Sequence, residues 1–270
     1  MASVGSPDLF QLILVGLGSG FTVKLLDIAY QEIRSRLESR RSASRFVDEH
    51  LDPLLKSADE VVGKLVSLAS EDFRSLAGDQ QVEQIENHDF GSLLYLLCRF
   101  WARIEIFRLD GLSVAIASDP RGARLQSFLA CLESRKVRVV DRISQRAIGE
   151  LLLRPAPDYF HTIGYVEFVR KLESDEEARR WITPIADVLS QVRHTSIRQQ
   201  LLLYGVVAHA LIDTLDPQHI VTSRRPSYPS KLSDKTRKDL QYRVFKVYLD
   251  FVPDKSKYLW GQRKPIAKKD

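Results

Sequence analysis

A histidine and an aspartate stand four residues apart in an apolar stretch, where their types and spacing could hold a metal ion. His209 and Asp213 would share one face of a helix, because side chains at i and i+4 lie one above the other. Asp216 and His219 follow soon after, so this part of the sequence contains both imidazole and carboxylate groups that could bind a metal ion. The alternative is a buried histidine that hydrogen-bonds an aspartate near the end of its helix. No cofactor is predicted from this pair.

An arginine and a histidine form a second pair with possible chemistry. Arg154 and His161 have R-x6-H spacing, which resembles the motif of HEPN-type ribonucleases, helical proteins in which an arginine and a histidine act on the phosphodiester. The six intervening residues include two prolines, which predict a break between helices at this point. The sequence contains no Walker loop, nucleophile elbow, zincin or EF-hand motif. These observations favour a protein that is not a conventional enzyme.

The N-terminal residues form the longest apolar stretch. Residues 9–23 carry no charged side chain, and the apolar run continues past Lys24 and Asp27 to Tyr30. A bilayer core of about 30 Å requires about 20 helical residues, so residues 1–30 are predicted to form a single transmembrane helix. The alternative is an amphipathic helix buried in a soluble protein.

Two features predict how this helix is oriented and what it contacts. Arginines are concentrated in residues 34–45, after the apolar run, so the positive-inside rule places a short N-terminus outside and the bulk of the chain in the cytoplasm. Gly16 and Gly20 form a small-x-x-x-small pair that lets two helices approach closely. We therefore expect membrane lipid and a second copy of the chain as partners.

The net charge of +5 is unevenly distributed along the chain. Residues 221–270 hold fourteen Lys or Arg and five Asp or Glu, which gives +9, whereas residues 1–220 carry −4. The predicted organisation is a hydrophobic helix (1–30), a helical body (31–220) and a basic linker with a C-terminal helix (221–270). The candidates for contact with an anionic surface are Lys235, Arg237, Lys238, Arg243, Lys246, Lys255, Lys257, Arg263, Lys264, Lys268 and Lys269.

These basic residues are interleaved with aromatic ones, and three interpretations stay open. They could contact phosphates while Tyr242 and Trp260 stack on bases, they could lie on an anionic leaflet, or they could dock on the acidic body. If the N-terminal helix spans a membrane, the basic segment is tethered to the same membrane. Lipid is therefore the favoured partner, and nucleic acid is possible but not favoured.

Apolar residues recur at helical spacing through the middle of the chain, which predicts an all-α body. Residues 201–211 are its most apolar stretch and are expected to form the central helix. Alternation of period two is confined to residues 136–140. Helix starts are predicted at Asp52-Pro53, Asp119-Pro120, Ser174 with Glu177, Thr183-Pro184, Ser196 with Gln199, and Ser233.

Two stretches of the body resemble other proteins. QRAIGELLL (145–153) and HALIDTLDP (209–217), behind an apolar helix and an arginine-rich exit, resemble a group of bacterial membrane-anchored helical proteins that offer no activity to transfer. The resemblance implies a location at the inner membrane of a bacterium. The overall prediction is an all-α protein with one N-terminal transmembrane helix and a cytoplasmic multi-helix domain. We expect a non-catalytic interaction or effector protein that self-associates in a defence or toxin-like system, with a partner encoded nearby. The alternatives are a soluble nucleic-acid-binding module and a HEPN-like ribonuclease.

Overall fold

Helices make up most of the backbone, as the apolar periodicity predicts. In the computed structural model the described residues are 9–76, 88–157 and 159–260. Their α-helices are α1 (Leu9–Ser70), α2 (His88–Asp110), α3 (Pro120–Leu132), α4 (Arg142–Leu151), α5 (Tyr165–Ser174), α6 (Glu176–Ser190), α7 (Thr195–Leu215), α8 (Asp234–Asp239) and α9 (Ser256–Leu259). A π-helical turn, Leu240–Phe245, follows α8 directly. The all-α class is confirmed.

One helix, α1, runs without interruption through a predicted helix start. Asp52 and Pro53 were expected to begin a helix, but Pro53 lies inside α1, so that prediction is wrong. Proline removes one N–H and therefore leaves the carbonyl of Glu49 without its helical donor. Glu49 is exposed, and water can reach that carbonyl. α1 packs against α2 on both sides of Pro53, through Phe46 with Phe107 before it and through Glu60 with Arg99 after it.

The core forms where α2 and α7 pack against the second half of α1. From Ala43 onward α1 buries one face, which includes Val47, Leu54 and Leu65. The predicted central helix is confirmed, because the side chains of residues 201–212 in α7 are all buried. Inside the core the indole Nε1 of Trp101 donates a hydrogen bond of 2.9 Å to the hydroxyl of Tyr204. This bond satisfies the two largest fully buried aromatic side chains.

The C-terminal segment up to Trp260 packs on the same core. Its apolar side chains join the main hydrophobic cluster, and they include Leu232, Leu240, Phe245 and Tyr258. Phe251 meets Phe128 of α3 edge to face, with ring centroids 5.6 Å apart. The segment therefore shares the hydrophobic core of the preceding helices.

The capping residues in the structure show which of the predicted helix starts are correct. Asp119 caps α3 by accepting from the N–H of Arg121 at 2.7 Å, and the Ser233 hydroxyl caps α8 by accepting from the N–H of Thr236 at 3.2 Å, so both starts are confirmed. The capping boxes at Ser174 with Glu177 and at Ser196 with Gln199 are wrong, as is the start at Thr183-Pro184. Asp175 caps α6, α7 begins at Thr195, and Pro184 lies within α6.

A short antiparallel hairpin lies between α4 and α5. Its strands are β1 (Leu153–Pro155) and β2 (Phe160–Thr162), and the register pairs Arg154 directly with His161. The prolines of this region end the helical periodicity, which is consistent with a turn between extended residues. Residues 136–140, where alternation was noted, form no strand.

Within the described residues no helix combines the length and the apolar character that crossing a membrane requires. The backbone of residues 9–23 continues α1, and the side chains of these residues lie outside the described part. The described residues therefore do not support the predicted transmembrane helix.

Candidate functional site

The N-terminal half of α1 extends beyond the core. Between residues 24 and 38 every side chain whose burial is described is exposed, and burial begins at Ala43. At 1.5 Å per residue, residues 24–42 form a helical segment about 28 Å long, which we call the arm. Two exposed ion pairs stabilise the helix of the arm, and in each the partners are four residues apart. Arg34 pairs with Glu38 at 2.9 Å, and Arg36 pairs with Glu32 at 2.6 Å.

The arm carries large apolar side chains that the core does not cover. Tyr30, Ile33 and Leu37 are 64%, 59% and 51% exposed, and their spacing of three and then four residues places them along one stripe. This is the spacing at which helices pair as coiled coils, because it keeps one seam facing the partner. The stripe is therefore an exposed apolar surface on the described part of the arm.

The base of the arm is strongly basic. Arg40, Arg41 and Arg45 are exposed and have no acidic partner within the described part of the chain. Gly16 and Gly20, predicted to mediate helix self-association, belong to α1 by their backbone, but their surroundings lie outside the described residues. Their predicted role stays untested.

Four side chains converge on the carboxylate of Asp213 near the end of α7. The ammonium of Lys257 donates to Asp213 Oδ2 at 2.5 Å, and the hydroxyl of Tyr258 donates to the same oxygen. Nε2 of His219 lies 3.4 Å from Oδ1, and Nε2 of His209 lies 3.6 Å from Oδ2. Burial lowers the pKa of His209 to about 4, against the attraction of Asp213, so this imidazole is neutral at pH 7.

This arrangement gives the predicted metal pair no support. Among the described residues no group of three or more His, Cys, Asp or Glu side chains is placed to hold a metal ion. The ammonium of Lys257 already supplies a positive charge at Asp213 Oδ2, the oxygen nearest to His209. Burial and the Asp213 charge raise the pKa of Tyr258, so its phenol stays protonated and donates. The cluster links α9 to α7.

The neighbouring Asp216 is a separate backbone anchor. Its two carboxylate oxygens accept from the N–H groups of Ile220, Val221 and Thr222 at 2.8 to 3.1 Å, and from the Thr222 hydroxyl at 2.7 Å. Burial acts to raise the pKa of Asp216, but these donors together lower it. This carboxylate fixes the turn that leads the chain away from α7.

The hairpin brings the arginine and histidine of the ribonuclease-like pair to one face. Arg154 and His161 are directly opposite in the ladder, where side chains of an antiparallel pair stand side by side. The guanidinium of Arg154 is bound by the carboxylate of Glu167, and Nδ1 of His161 is buried without a hydrogen-bond partner. Glu167 neutralises the positive charge of Arg154, which is the charge that would contact a phosphate. The geometry therefore supports the ribonuclease hypothesis only in that Arg154 and His161 are close together.

The predicted basic residues of the C-terminal segment divide into paired and unpaired groups. Arg237 pairs with Asp234, Arg243 with Asp239 and Lys257 with Asp213, while Lys255 donates to a backbone carbonyl. The exposed lysines that have no acidic partner among the described residues are Lys235, Lys238 and Lys246. Arg263, Lys264, Lys268 and Lys269 lie outside the described residues.

The start of this basic segment is distant from the arm. Lys231 pairs at 2.7 Å with Asp72, just beyond the C-terminal end of α1. Residues 43–70 of α1 cover about 40 Å, so this pair lies at the opposite end of the core from the base of the arm.

The sequence reasoning missed a buried arginine–glutamate network at the end of α2. Arg108 donates to both Glu105 and Glu133, and Glu133 also receives Arg142 at 3.0 Å and Arg146 at 3.3 Å. Burial raises the pKa of Glu105, and the arginines oppose that shift. Only the i, i+3 spacing of Glu105 and Arg108 was visible in the sequence, because Glu133 and Arg146 come from other helices.

The fold and these surfaces define an all-α protein with a helical arm and with exposed basic residues at the base of the arm and in the C-terminal segment. Comparison of the chain with protein-family models, with curated proteins and with solved structures finds no match.

Proposed function

We propose that this chain is a non-catalytic interaction protein that self-associates through the arm and is anchored to a bacterial inner membrane by residues 9–23. The exposed stripe of Tyr30, Ile33 and Leu37 is the observation that carries the proposal. A stripe at coiled-coil spacing on a helix that leaves the core is suited to pairing with an identical stripe. The apolar sequence of residues 9–23, which continues the same helix, supports the anchor.

The energetics link the two halves of the proposal. Full burial of a large apolar side chain contributes about 1.5–3 kcal/mol, so the exposed portions of six side chains in two arms contribute about 5–10 kcal/mol. Association costs about 4–15 kcal/mol in lost freedom of motion. The two ranges overlap, so pairing through the stripe alone is marginal, and confinement of both copies to one membrane favours it by raising their effective concentration. Within this class, we extend the proposal to a membrane effector of a defence or toxin-like system, in which clustering of the anchors perturbs the bilayer.

Cysteine crosslinking tests the self-association. The native thiols, Cys98 and Cys131, are buried, so a cysteine introduced on the arm reports alone. Ile33→Cys on the stripe should form an intermolecular disulfide in membranes under mild oxidation. Ser35→Cys, on another face of the same turn of the arm, is the matched control and should crosslink several-fold less. Equal crosslinking at both positions, or none at either, would refute pairing through the stripe.

Membrane fractionation tests the anchor. The full chain should sediment with membranes and resist extraction by low-salt and alkaline washes, because an apolar helix is held by the bilayer core. Recovery of the chain in the soluble fraction throughout these washes would refute the anchor.

The C-terminal segment supports a second candidate, nucleic-acid binding. Lys235, Lys238 and Lys246 are exposed without acidic partners in the described chain, and Tyr242 lies between them, 56% exposed. Lysines contact phosphates and tyrosine stacks on bases. Binding to single-stranded RNA should weaken steeply with salt, and Lys238→Glu should reduce it far more than Lys56→Glu on α1. A binding signal that does not change between low and high salt would exclude this candidate.

A further inference from the structure

A cavity of about 510 Å³ lies where three segments of the chain meet, at the opposite end of the core from the arm. The segments are the turn after α1, the N-terminal part of α7 and the start of the C-terminal segment. Its described lining includes three cations, Arg74, Arg198 and Lys231, and one carboxylate, that of Asp72. We call it the basic cavity.

The turn after α1 places an aspartate at the cavity at some cost to the helix end. The N–H of Asp72 donates to the carbonyl of Ala69 at 3.2 Å, and the N–H of Phe73 donates to that of Leu68 at 2.7 Å, which are the two bonds of a Schellman motif. Asp72 has a φ of 53°, at the position where this motif favours glycine. Its carboxylate pairs with Lys231 at 2.7 Å, so the side chain that the helix end disfavours has a partner across the cavity.

A glutamine fixes the C-terminal segment against α7 at the same place. The side-chain amide of Gln199 donates to the carbonyl of Lys231 at 2.9 Å, and its Oε1 accepts from the N–H of Ser233 at 2.8 Å. The backbone that carries Lys231 is therefore held beside Arg198, the residue before Gln199. Because these segments are already joined, a ligand that contacts them has less chain to order.

The two arginines of the basic cavity have hydrogen-bond donors available. Arg74 is exposed, and its side chain has no hydrogen-bond or ion-pair partner within residues 9–76, 88–157 and 159–260. Arg198 is half-buried, and the one bond that its side chain makes in the described chain runs from Nη2 to the neutral hydroxyl of Thr195, at 3.2 Å. A guanidinium has five N–H donors, so most of those on Arg198 can reach a ligand.

The charges around the basic cavity leave a positive surplus. The hydrogen bond and the charge of Lys231 lower the pKa of Asp72, and the charges of Arg74 and Arg198 lower it further, so both arginines lie close enough to act on this carboxylate. One carboxylate offsets one of the three cations, and two positive charges remain. A phosphomonoester carries about −1.5 to −2 charges at pH 7. Guanidinium groups bind phosphate oxygens through paired hydrogen bonds.

We propose that the basic cavity binds the phosphate group of a small phosphomonoester, with Arg74 and Arg198 contacting the phosphate oxygens and Lys231 shared between the phosphate and Asp72. The cavity volume lies in the range of small-molecule sites, about 300–1,000 Å³, so the group that carries the phosphate also has space. A bound phosphate would link the end of α1 to α7 and to the C-terminal segment. The site does not depend on the proposed membrane anchor.

Calorimetric titration of the full chain in a neutral detergent, at pH 7.5 and constant ionic strength, tests the ligand class. The probes are glycerol phosphate, inorganic phosphate, the diester dimethyl phosphate and glycerol. Glycerol phosphate should bind saturably and about ten times more tightly than dimethyl phosphate, which carries one negative charge instead of two. Inorganic phosphate should bind several-fold more weakly than glycerol phosphate because it fills less of the cavity, and glycerol should not bind.

Two variants should change the affinity for glycerol phosphate in opposite directions. Arg198→Gln should weaken binding about tenfold, whereas Arg170→Gln, at an exposed arginine of α5 outside the cavity, is the charge-matched control and should leave it unchanged. Asp72→Asn removes the carboxylate that competes for Lys231 and should tighten binding several-fold. Asparagine tolerates the left-handed conformation at position 72, so the turn is retained. A variant that merely disturbed folding would weaken binding, and the opposite sign separates the two effects.

Four results would overturn the proposal. They are the absence of saturable binding by glycerol phosphate, unchanged binding in Arg198→Gln, weaker binding in Asp72→Asn, and equal binding of glycerol phosphate and inorganic phosphate, which would indicate the free ion as the ligand. Equal binding of dimethyl phosphate would also contradict it, because it would indicate contact with a phosphodiester such as a nucleic-acid backbone.

Discussion

Replacement of Gly205 by alanine, at the contact between α7 and the C-terminal segment, should have two opposite effects on the free energy of unfolding. Alanine in place of glycine favours a helix by about 1 kcal/mol. A Cβ at position 205 would overlap the hydroxyl oxygen of Tyr228 and would lie 2.9 Å from Cδ1 of Leu65. Overpacking of this kind costs about 1–3 kcal/mol. Displacement of the Tyr228 hydroxyl also removes its hydrogen bond to the Leu202 carbonyl, worth about 1 kcal/mol.

Overpacking and the lost hydrogen bond together outweigh the gain in helix propensity. Gly205→Ala should therefore lower the free energy of unfolding by about 1–3 kcal/mol, measured by urea denaturation followed by circular dichroism. Tyr228→Phe is the matched background, because it removes the overlapping oxygen and leaves Cζ at an ordinary 3.6 Å from the new Cβ. In that background Gly205→Ala should change stability by less than about 0.5 kcal/mol, since the remaining contact is the flexible end of Leu65. An equal loss of stability in both backgrounds would refute docking of Tyr228 on α7.

Two further perturbations test the polar interior. Arg108→Met removes the partly buried cation that Glu105 and Glu133 share, while Glu133 keeps Arg142 and Arg146, so it should cost about 2–4 kcal/mol in urea unfolding, whereas a loss below about 1 kcal/mol would mean that the network is solvated. Asp216 has a lowered pKa in the folded state, so its contribution to stability is complete above its unfolded pKa of about 3.9 and is lost as pH falls through the folded value. Thermal unfolding between pH 6 and pH 3 should therefore show a shallower loss of stability for Asp216→Asn than for the unaltered chain, and parallel curves would contradict this role.

The local sequence was sufficient to predict a helix start where the capping side chain and the N–H groups that it binds are only a few residues apart. Asp119 before Pro120, and Ser233, form caps whose donors lie two or three residues away, so their spacing alone predicts them. Pro53 and Pro184 misled the prediction because packing decides whether a proline ends a helix. In both cases the carbonyl four residues earlier belongs to an exposed residue, so water can compensate for the missing donor.

The candidate sites depend on contacts that no local pattern contains. The partners of Asp213 include Lys257 and Tyr258, more than forty positions away, so the i, i+4 pair with His209 indicated a cluster but not its chemistry. The charge count located a basic C-terminal segment, but only packing shows that its start lies far from the arm. Exposure of Tyr30, Ile33 and Leu37 likewise depends on where the core begins along α1, which sequence periodicity does not define.

The continuity of α1 means that the arm and the core share one rotational phase. Each residue advances a helix by 1.5 Å and turns it by about 100°, so the direction in which the Ile33 stripe faces fixes the direction in which Phe46 meets α2. Within α1 there is no break at which one part could swivel against the other. Two copies that pair along the stripe would therefore hold their cores at a fixed angle to each other. Insertion of one residue near Ser42 would rotate the cores by about 100°, whereas insertion of seven would nearly restore the original angle.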